Sequence, residues 1–260
     1  MRLATVAVLC AALFRPTASG AADAATVLIT GANRGIGLEF ARQYAADGWT
    51  VVATARDPKD ATRLAELAKA RKNVAIEPLD VTDQASVASL AAKYRDRPID
   101  VLINNAGVSG DFRGPGQSFG SLDFPAADEF WAVNVMGPLR VTEALYGSVK
   151  RSRQKKVVTI TALLGVHSFG YGGLSGAYWY KISKAAMNAT MANLAKDAAP
   201  DGVIIALLTP GEVAVEKVVN PGPNYISPEV SIRGMRGVIG GLTPADAGAI
   251  IRYNGKRYDF

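Results

Sequence analysis

The chain has 260 residues, a formal net charge of +6, 49% apolar residues and 20% charged ones, an ordinary balance for a soluble globular protein. That length suits one large domain with a substantial core, and no run of eighteen or more apolar residues is present, so no stable membrane span is expected. Basic and acidic residues are mixed along the chain; the one dense basic run, KRSRQKK at 150–156, precedes an apolar strand-like segment and reads as a solvated loop, so nucleic acid is not an expected partner.

The chain opens on Met1-Arg2, then LATVAVLCAALF, then Arg15, Pro16 and the small-residue run TASGAADAA. A short charged start, an apolar stretch of signal length and a cleavage point near Ala21 make 1–24 resemble a secretory signal peptide. An exported, periplasmic or secreted protein is therefore expected; the other reading of 1–24 is a docked or disordered extension on a cytoplasmic protein. The only cysteine, Cys10, lies in this segment, so cysteine usage does not decide the compartment.

The remainder, 25–260, reads as one domain with no repeat or linker. Apolar β-rich runs at 26–30, 50–54, 73–79, 100–104, 156–161 and 202–208 alternate with helical patterns at 37–46, 61–70, 84–94, 127–149 and 178–198. Unbroken Val/Ile runs indicate strands buried on both faces, and helical crossovers between them indicate a parallel sheet. The expected fold is a doubly wound α/β sheet, the Rossmann fold, whose ligands sit beyond the carboxyl ends of the strands.

After the first strand comes TGANRGIG, Thr30 to Gly37. Gly31, Gly35 and Gly37 suit a tight turn, close backbone approach to a diphosphate and tight helix–sheet packing, and the next helix points its free N–H groups at the anion. Ala55 fills the end of the second strand, where an acid would accept from a ribose 2′-OH; Arg56 follows, and Arg34 is a second nearby cation. Two guanidinium groups suit a 2′-phosphate, so NADP(H) is expected ahead of NAD(H).

The TGxxxGxG spacing, with LDVTD at 79–83, NNAG at 104–107, Asn134-Val135, YKISK at 180–184 and Pro210-Gly211, resembles the short-chain dehydrogenase/reductase family over about 26–211. The tail LTPADAG…RYNGK and the stretch ATARDP look like its C-factor-like branch. The resemblance implies a nicotinamide dinucleotide held by Gly31, Asn33, Arg34, Gly35, Ile36, Gly37, Arg56, Asp80, Val81, Asn105, Ala106, Gly107, Tyr180, Lys184, Pro210, Gly211 and Val213, and no metal. It implies that Asp80 and Val81 hold the adenine and that Asn104 to Gly107 brace the sheet and the adenine ribose. Tyr180, Lys184 and Asn134 are its implied catalytic residues, with a small carbonyl or alcohol as substrate.

Tyr180 and Lys184 are four apart and share one face of a helix. An ammonium and a cationic nicotinamide favour the phenolate, bringing the general acid or base nearer working pH. The resemblance further implies that Lys184 holds the nicotinamide ribose and that Asn134 organises a water in the proton relay. The family's serine at the end of the fifth strand looks replaced: anchored on the strand, Ile160-Thr161-Ala162 puts Ala162 in the serine position and Thr161 on the opposite side, whereas counting back from Tyr180 lands near His167 and Ser168. His167, the only histidine, is either a substitute donor or a solvated loop residue. Val215 stands where a threonine contacts the nicotinamide in many relatives.

These residues leave three readings open: an NAD(P)H-dependent oxidoreductase, a weakened dinucleotide-binding or signalling protein, and a non-redox isomerase or lyase. The segments around 109–124 and 213–238 are expected to shape the pocket, their length suggesting a mobile lid. The resemblance also implies a homodimer or homotetramer built on the helices at 127–149 and 178–198.

Overall fold

The computed structural model describes residues 24–259 apart from 113, 174, 217 and 219–221. The expected export signal at 1–24 lies, but for its last residue, outside the described residues. Every described strand joins one sheet in the order β3-β2-β1-β4-β5-β6-β7-β8. Its strands are β1 (Thr26–Ile29), β2 (Thr50–Ala55), β3 (Val74–Pro78), β4 (Val101–Asn104), β5 (Lys156–Ile160), β6 (Ile204–Thr209), β7 (Ile250–Arg252) and β8 (Arg257–Tyr258). The first seven run parallel, and β8 pairs antiparallel with β7 at the edge. The reversal of strand order between β1 and β4 opens a crevice at their carboxyl ends.

Both faces of this sheet are covered, which is why its strands read as unbroken apolar runs. Val27, Ile29, Val51, Ala53, Val158 and Leu208 face one core; Leu28, Val52, Leu102, Val157 and Leu207 face the other. The first core is closed by α1 (Gly35–Ala46), α2 (Thr62–Ala70) and α7 (Pro228–Gly241). The second is closed by α3 (Gln84–Tyr94), α5 (Gly137–Lys150) and α6 (Tyr178–Ala198).

Three expectations need correction. The single helix expected at 127–149 is a short α4 (Ala127–Phe130), a π-helical turn (Trp131–Met136) and then α5. The lid expected over 213–238 is only half loop. Ser227 caps α7 by accepting from Val230 N, Pro228 starts it, and Ile232, Met235 and Ile239 bury a stripe against the core beside α1. Finally, β7 and β8, three and two residues long, extend the sheet beyond the six expected strands.

Candidate active site

At the carboxyl rim, the loops after β1 and β4 are tied together. Thr30 Oγ1 accepts from the N–H groups of Asn105 and Ala106 at 2.9 and 3.0 Å. Asn105 Nδ2 donates to Thr30 O and Gly31 O at 2.9 and 3.0 Å. This packing leaves no room for a side chain at Gly31 or Gly37. A Cβ on Gly31, where φ is +64°, would lie 2.9 Å from Ala106 Cα, and one on Gly37 would lie 2.3 Å from Gly31 O. The backbone from Gly31 to Gly37 is thus held tight against Asn105–Gly107, with the amino end of α1 turned to the rim. Arg34 precedes α1 with extended backbone and makes no side-chain cap to it.

The rim after β2 and β3 carries the residues expected to meet the ribose and adenine. Ala55 is buried and Arg56 is exposed. Thr82 donates to Asp80 Oδ1 from its N–H at 2.8 Å and its hydroxyl at 2.7 Å. Partial burial opposes ionisation of Asp80, but these Thr82 hydrogen bonds and the Arg56 and Arg140 guanidinium groups hold its carboxyl below the usual range. Val81 is buried beneath Gly137, where a Cβ would come within 2.9 Å of its Cγ2, and Arg140 donates to Val81 O at 2.6 Å. Arg56, Asp80 and Val81 therefore stand together as the sequence implies.

The π turn swings Asn134 inward, fully buried. Its Oδ1 accepts from Val108 N, while its Nδ2 donates to Val108 O and to Ser183 Oγ, each at 2.9 Å. Ser183 Oγ donates in turn to Tyr180 O at 2.9 Å. These bonds clamp the loop after β4 to α6, and Asn134 Oδ1 keeps a second acceptor site for the expected water.

The chain enters α6 through Gly176 and Ala177, both at positive φ, and no side chain at Ala177 caps the helix. The segment 110–118 does so from a distance. Phe112 O accepts from Ala177 N at 3.0 Å, Gln117 O from Tyr178 N at 3.2 Å, and Gln117 Oε1 from Tyr180 N at 3.2 Å. Gln117 Nε2 holds its own loop by donating to Ser109 O and Asp111 O, both at 3.0 Å. The Phe112 ring packs on the Tyr180 ring with centroids 4.9 Å apart.

Tyr180 and Lys184 share one face of α6, as expected, with Lys184 Nζ 5.8 Å from the Tyr180 ring centroid. Lys184 is 6% exposed and donates to Ile160 O at 2.9 Å. Burial pushes the Tyr180 phenol up to about 12 and the Lys184 ammonium down to about 8. The expected lowering of the phenol is thus outweighed by desolvation within the protein alone. A Cβ on Gly107 would lie 3.1 Å from Asn134 Oδ1 and 3.8 Å from Lys184 Nζ, which joins the catalytic set to the loop after β4.

Beyond β5, Thr161 is buried and donates to Asn188 Oδ1 of α6 at 2.6 Å. Ala162 follows with extended backbone and offers only a methyl. His167 is exposed and starts a 3-10 segment that docks on the C-terminal strand: Ser168 Oγ donates to Asp259 O at 2.5 Å, and the Phe169 and Tyr258 rings meet edge-on. After β6, Gly211 has φ +81° against the Tyr253 ring, Ser231 Oγ donates to Pro210 O at 2.7 Å, and Val213 is buried in a bridge with Ile226.

Sequence reasoning missed three residues. Gln117 gives no sign in the sequence, because its role depends on burial. Ser183 was visible only as the residue before the lysine. Glu216 accepts from Gly35 N–H at 3.4 Å and pairs with Arg63. Partial burial opposes ionisation of Glu216, but its own and Gly35's N–H groups and Arg63 keep its carboxyl below the usual range.

A glycine-bearing loop at a helix N-terminus, the guanidinium groups of Arg34 and Arg56 and a buried Lys–Tyr pair across the crevice fit a dinucleotide laid over the strand ends. Known proteins agree. The family model described as short chain dehydrogenase matches residues 25–223. The C-signal protein of Myxococcus xanthus is 36% identical over 158 residues, covering 61% of this chain and 90% of that protein. The 1-hydroxy-2-glutathionyl-2-methyl-3-butene dehydrogenase of a Rhodococcus species is 35% identical over 228 residues, covering 86% and 94%. The crystal structure of NADPH-bound carbonyl reductase from chicken fatty liver superposes with a TM-score of 0.84 at 28% identity, covering 91% of this chain and 99% of that one.

Proposed function

The chain belongs to the short-chain dehydrogenase/reductase family and is a nicotinamide-dependent oxidoreductase, and on that premise we propose that it uses NADP(H) to interconvert a small carbonyl compound and its alcohol. The observation that carries the reading is Tyr180 one turn before a buried Lys184, on the rim that also bears the glycine loop. Gly31 to Gly37, Arg56, Asp80 and Val81 would hold the dinucleotide, whose nicotinamide would supply or accept the hydride. Tyr180 Oη gives its proton to the substrate oxygen in reduction and takes it back in oxidation. The phenol is protonated at neutral pH, the state that reduction needs.

Lys184, with its pKa lowered to about 8, still carries its charge near pH 7 and steadies negative charge on the phenol as the proton leaves. Asn134 and Gln117 are positioning residues: one fixes α6 to the loop after β4, the other caps the turn of α6 that bears the phenol. The 2′-phosphate preference is supported by Ala55, Arg56 and Arg34, since no acid stands at the end of β2 to accept from a 2′-OH.

Titration with NADPH and NADH, followed by turnover of aldehydes and ketones, tests the reading. Tyr180→Phe should lower kcat by about a hundredfold or more while leaving NADPH affinity nearly unchanged; a variant that turns over like the parent refutes the role. We read exposed Trp131 and Ile182, on the π turn and α6, as the face of a homodimer, which light scattering checks. We read 1–24 as an export signal; sequencing the mature amino terminus checks it.

A further inference from the structure

The dinucleotide reading calls for an anion at the amino end of α1, and the protein already places one of its own there. After β6 the chain passes Pro210-Gly211 and turns back across the rim. Its first part is pinned, since Ile226 N donates to Glu212 O at 2.8 Å and Ala214 N to Ile226 O at 2.9 Å. Val215 then lies over the glycine loop, where a Cβ on Gly35 would stand 3.5 Å from its Cγ1. Glu216, 181 residues along the chain from Gly35, brings Oε1 to the N–H of that first α1 residue. The same oxygen pairs with Arg63 in the first turn of α2.

As an exposed ion pair, Arg63–Glu216 alone would mean little. Its significance lies in what α1 lacks: Arg34 makes no side-chain cap, and the first turn holds no acidic residue. The positive end of the helix therefore takes its negative partner from a distant segment. That end is also where the glycine loop would lay a phosphate.

We propose that Glu216 is a determinant of dinucleotide affinity: its carboxylate holds the diphosphate position at the amino end of α1 and must leave before the diphosphate can lie there. The proposal rests on the reading given under Proposed function. Withdrawal of Glu216 lifts Val215 off Gly35 and frees Arg63 to face the entering phosphates, so one anion replaces another on the same donors. The apparent affinity is then the intrinsic one reduced by the fraction of molecules with the loop uncovered.

Equilibrium binding tests this without turnover, using NADPH (quenching of protein fluorescence) and inorganic pyrophosphate (calorimetry). Glu216→Gln should bind both about three- to tenfold more tightly than the parent. Glu216→Asp keeps the charge but falls short of Gly35 by one methylene, so it should tighten binding as well. Glu212→Gln removes a charge from the same segment and should behave like the parent. The proposal is overturned if Glu216→Gln binds pyrophosphate no more tightly than the parent. It is equally overturned if Glu216→Asp stays at the parent value while both Gln variants tighten alike, which would mark a general effect of charge. If pyrophosphate binding tightens as expected but none of the proteins binds NADPH, the carboxylate plug stands and the cofactor reading falls.

Discussion

Removing the Asn134 amide should destabilise the protein by about 2–4 kcal/mol. The side chain is fully buried in the π turn and satisfies both main-chain groups of Val108 as well as Ser183 Oγ. Alanine leaves the Val108 N–H and C=O without their partner. A buried polar group left unpaired costs about 1–3 kcal/mol, and Val108 is only half-buried, so the lower half of that range applies to each, plus a small packing loss. For a chain of this length, about 2–4 °C of Tm per kcal/mol gives a fall of about 5–15 °C. Aspartate keeps the shape but not the donor. Its second oxygen would face Val108 O and could donate only when protonated, so its folded-state pKa would rise above about 4. The folded protein then holds a proton that the unfolded chain has lost, and stability falls as pH climbs from about 4 through the raised value. Urea unfolding of the parent, Asn134→Ala and Asn134→Asp at pH 5 and 7.5 reads both effects. An alanine variant within about 0.5 kcal/mol of the parent, or an aspartate penalty that does not grow with pH, refutes the clamp.

Ala162→Ser should raise reductive turnover about ten- to a hundredfold, because a hydroxyl at the end of β5 adds a donor to the substrate oxygen; an unchanged rate in steady-state assays would show that Ala162 does not face the reacting oxygen. Lys156, 7% exposed, donates to Ile239 O and Gly240 O at the end of α7. Lys156→Met should cost about 1–3 kcal/mol, and a thermal midpoint equal to the parent's would sink that reading. Between about 8 and the ordinary value of 10.5, the unfolded chain carries a proton on Lys184 that the folded protein has shed. The ligand-free parent should therefore gain about 3 kcal/mol on Lys184→Met as pH rises through that window, and a flat difference in denaturant midpoints would refute the lysine's burial cost.

The six main strands were legible because burial on both sheet faces leaves no polar alternation, and burial of that kind is written in composition alone. The glycine loop and the Tyr180–Lys184 pair were legible because their spacing is local. What escaped was set at long range. The signs of α7 were present in Ser227, Pro228 and the Ile232, Met235, Ile239 spacing, but Gly234, Gly237, Gly240 and Gly241 argued for a loop. Tertiary packing overrode propensity there: a Cβ on Gly234 would lie 2.4 Å from Tyr253 O, so glycine lets α7 close onto the end of β7. The π turn has no composition of its own, and Asn134 reads as an ordinary helical residue until Val108 and Ser183 stand beside it. Gln117 and Glu216 look like solvated loop residues, and only the fold brings one to Tyr180 and the other to Gly35.

The same distinction explains the net charge. The basic run at 150–156 lies at the amino-terminal edge of the sheet, opposite the crevice, and serves the fold. Lys150 pairs with Asp201 at 2.7 Å, Lys155 Nζ donates to Asp201 O at 3.2 Å, Arg151 donates to Arg95 O, and Lys156 closes α7. At the carboxyl rim, by contrast, Arg34, Arg56 and Arg63 stand near unfilled helix donors, with Glu216 as the anion against them. Charge of one sign thus does two jobs in this chain. At one edge it is neutralised by carbonyls and carboxylates of its own fold, which costs little because those partners are fixed by packing. At the other it is kept beside Glu216, on the rim where the proposal places an incoming phosphate.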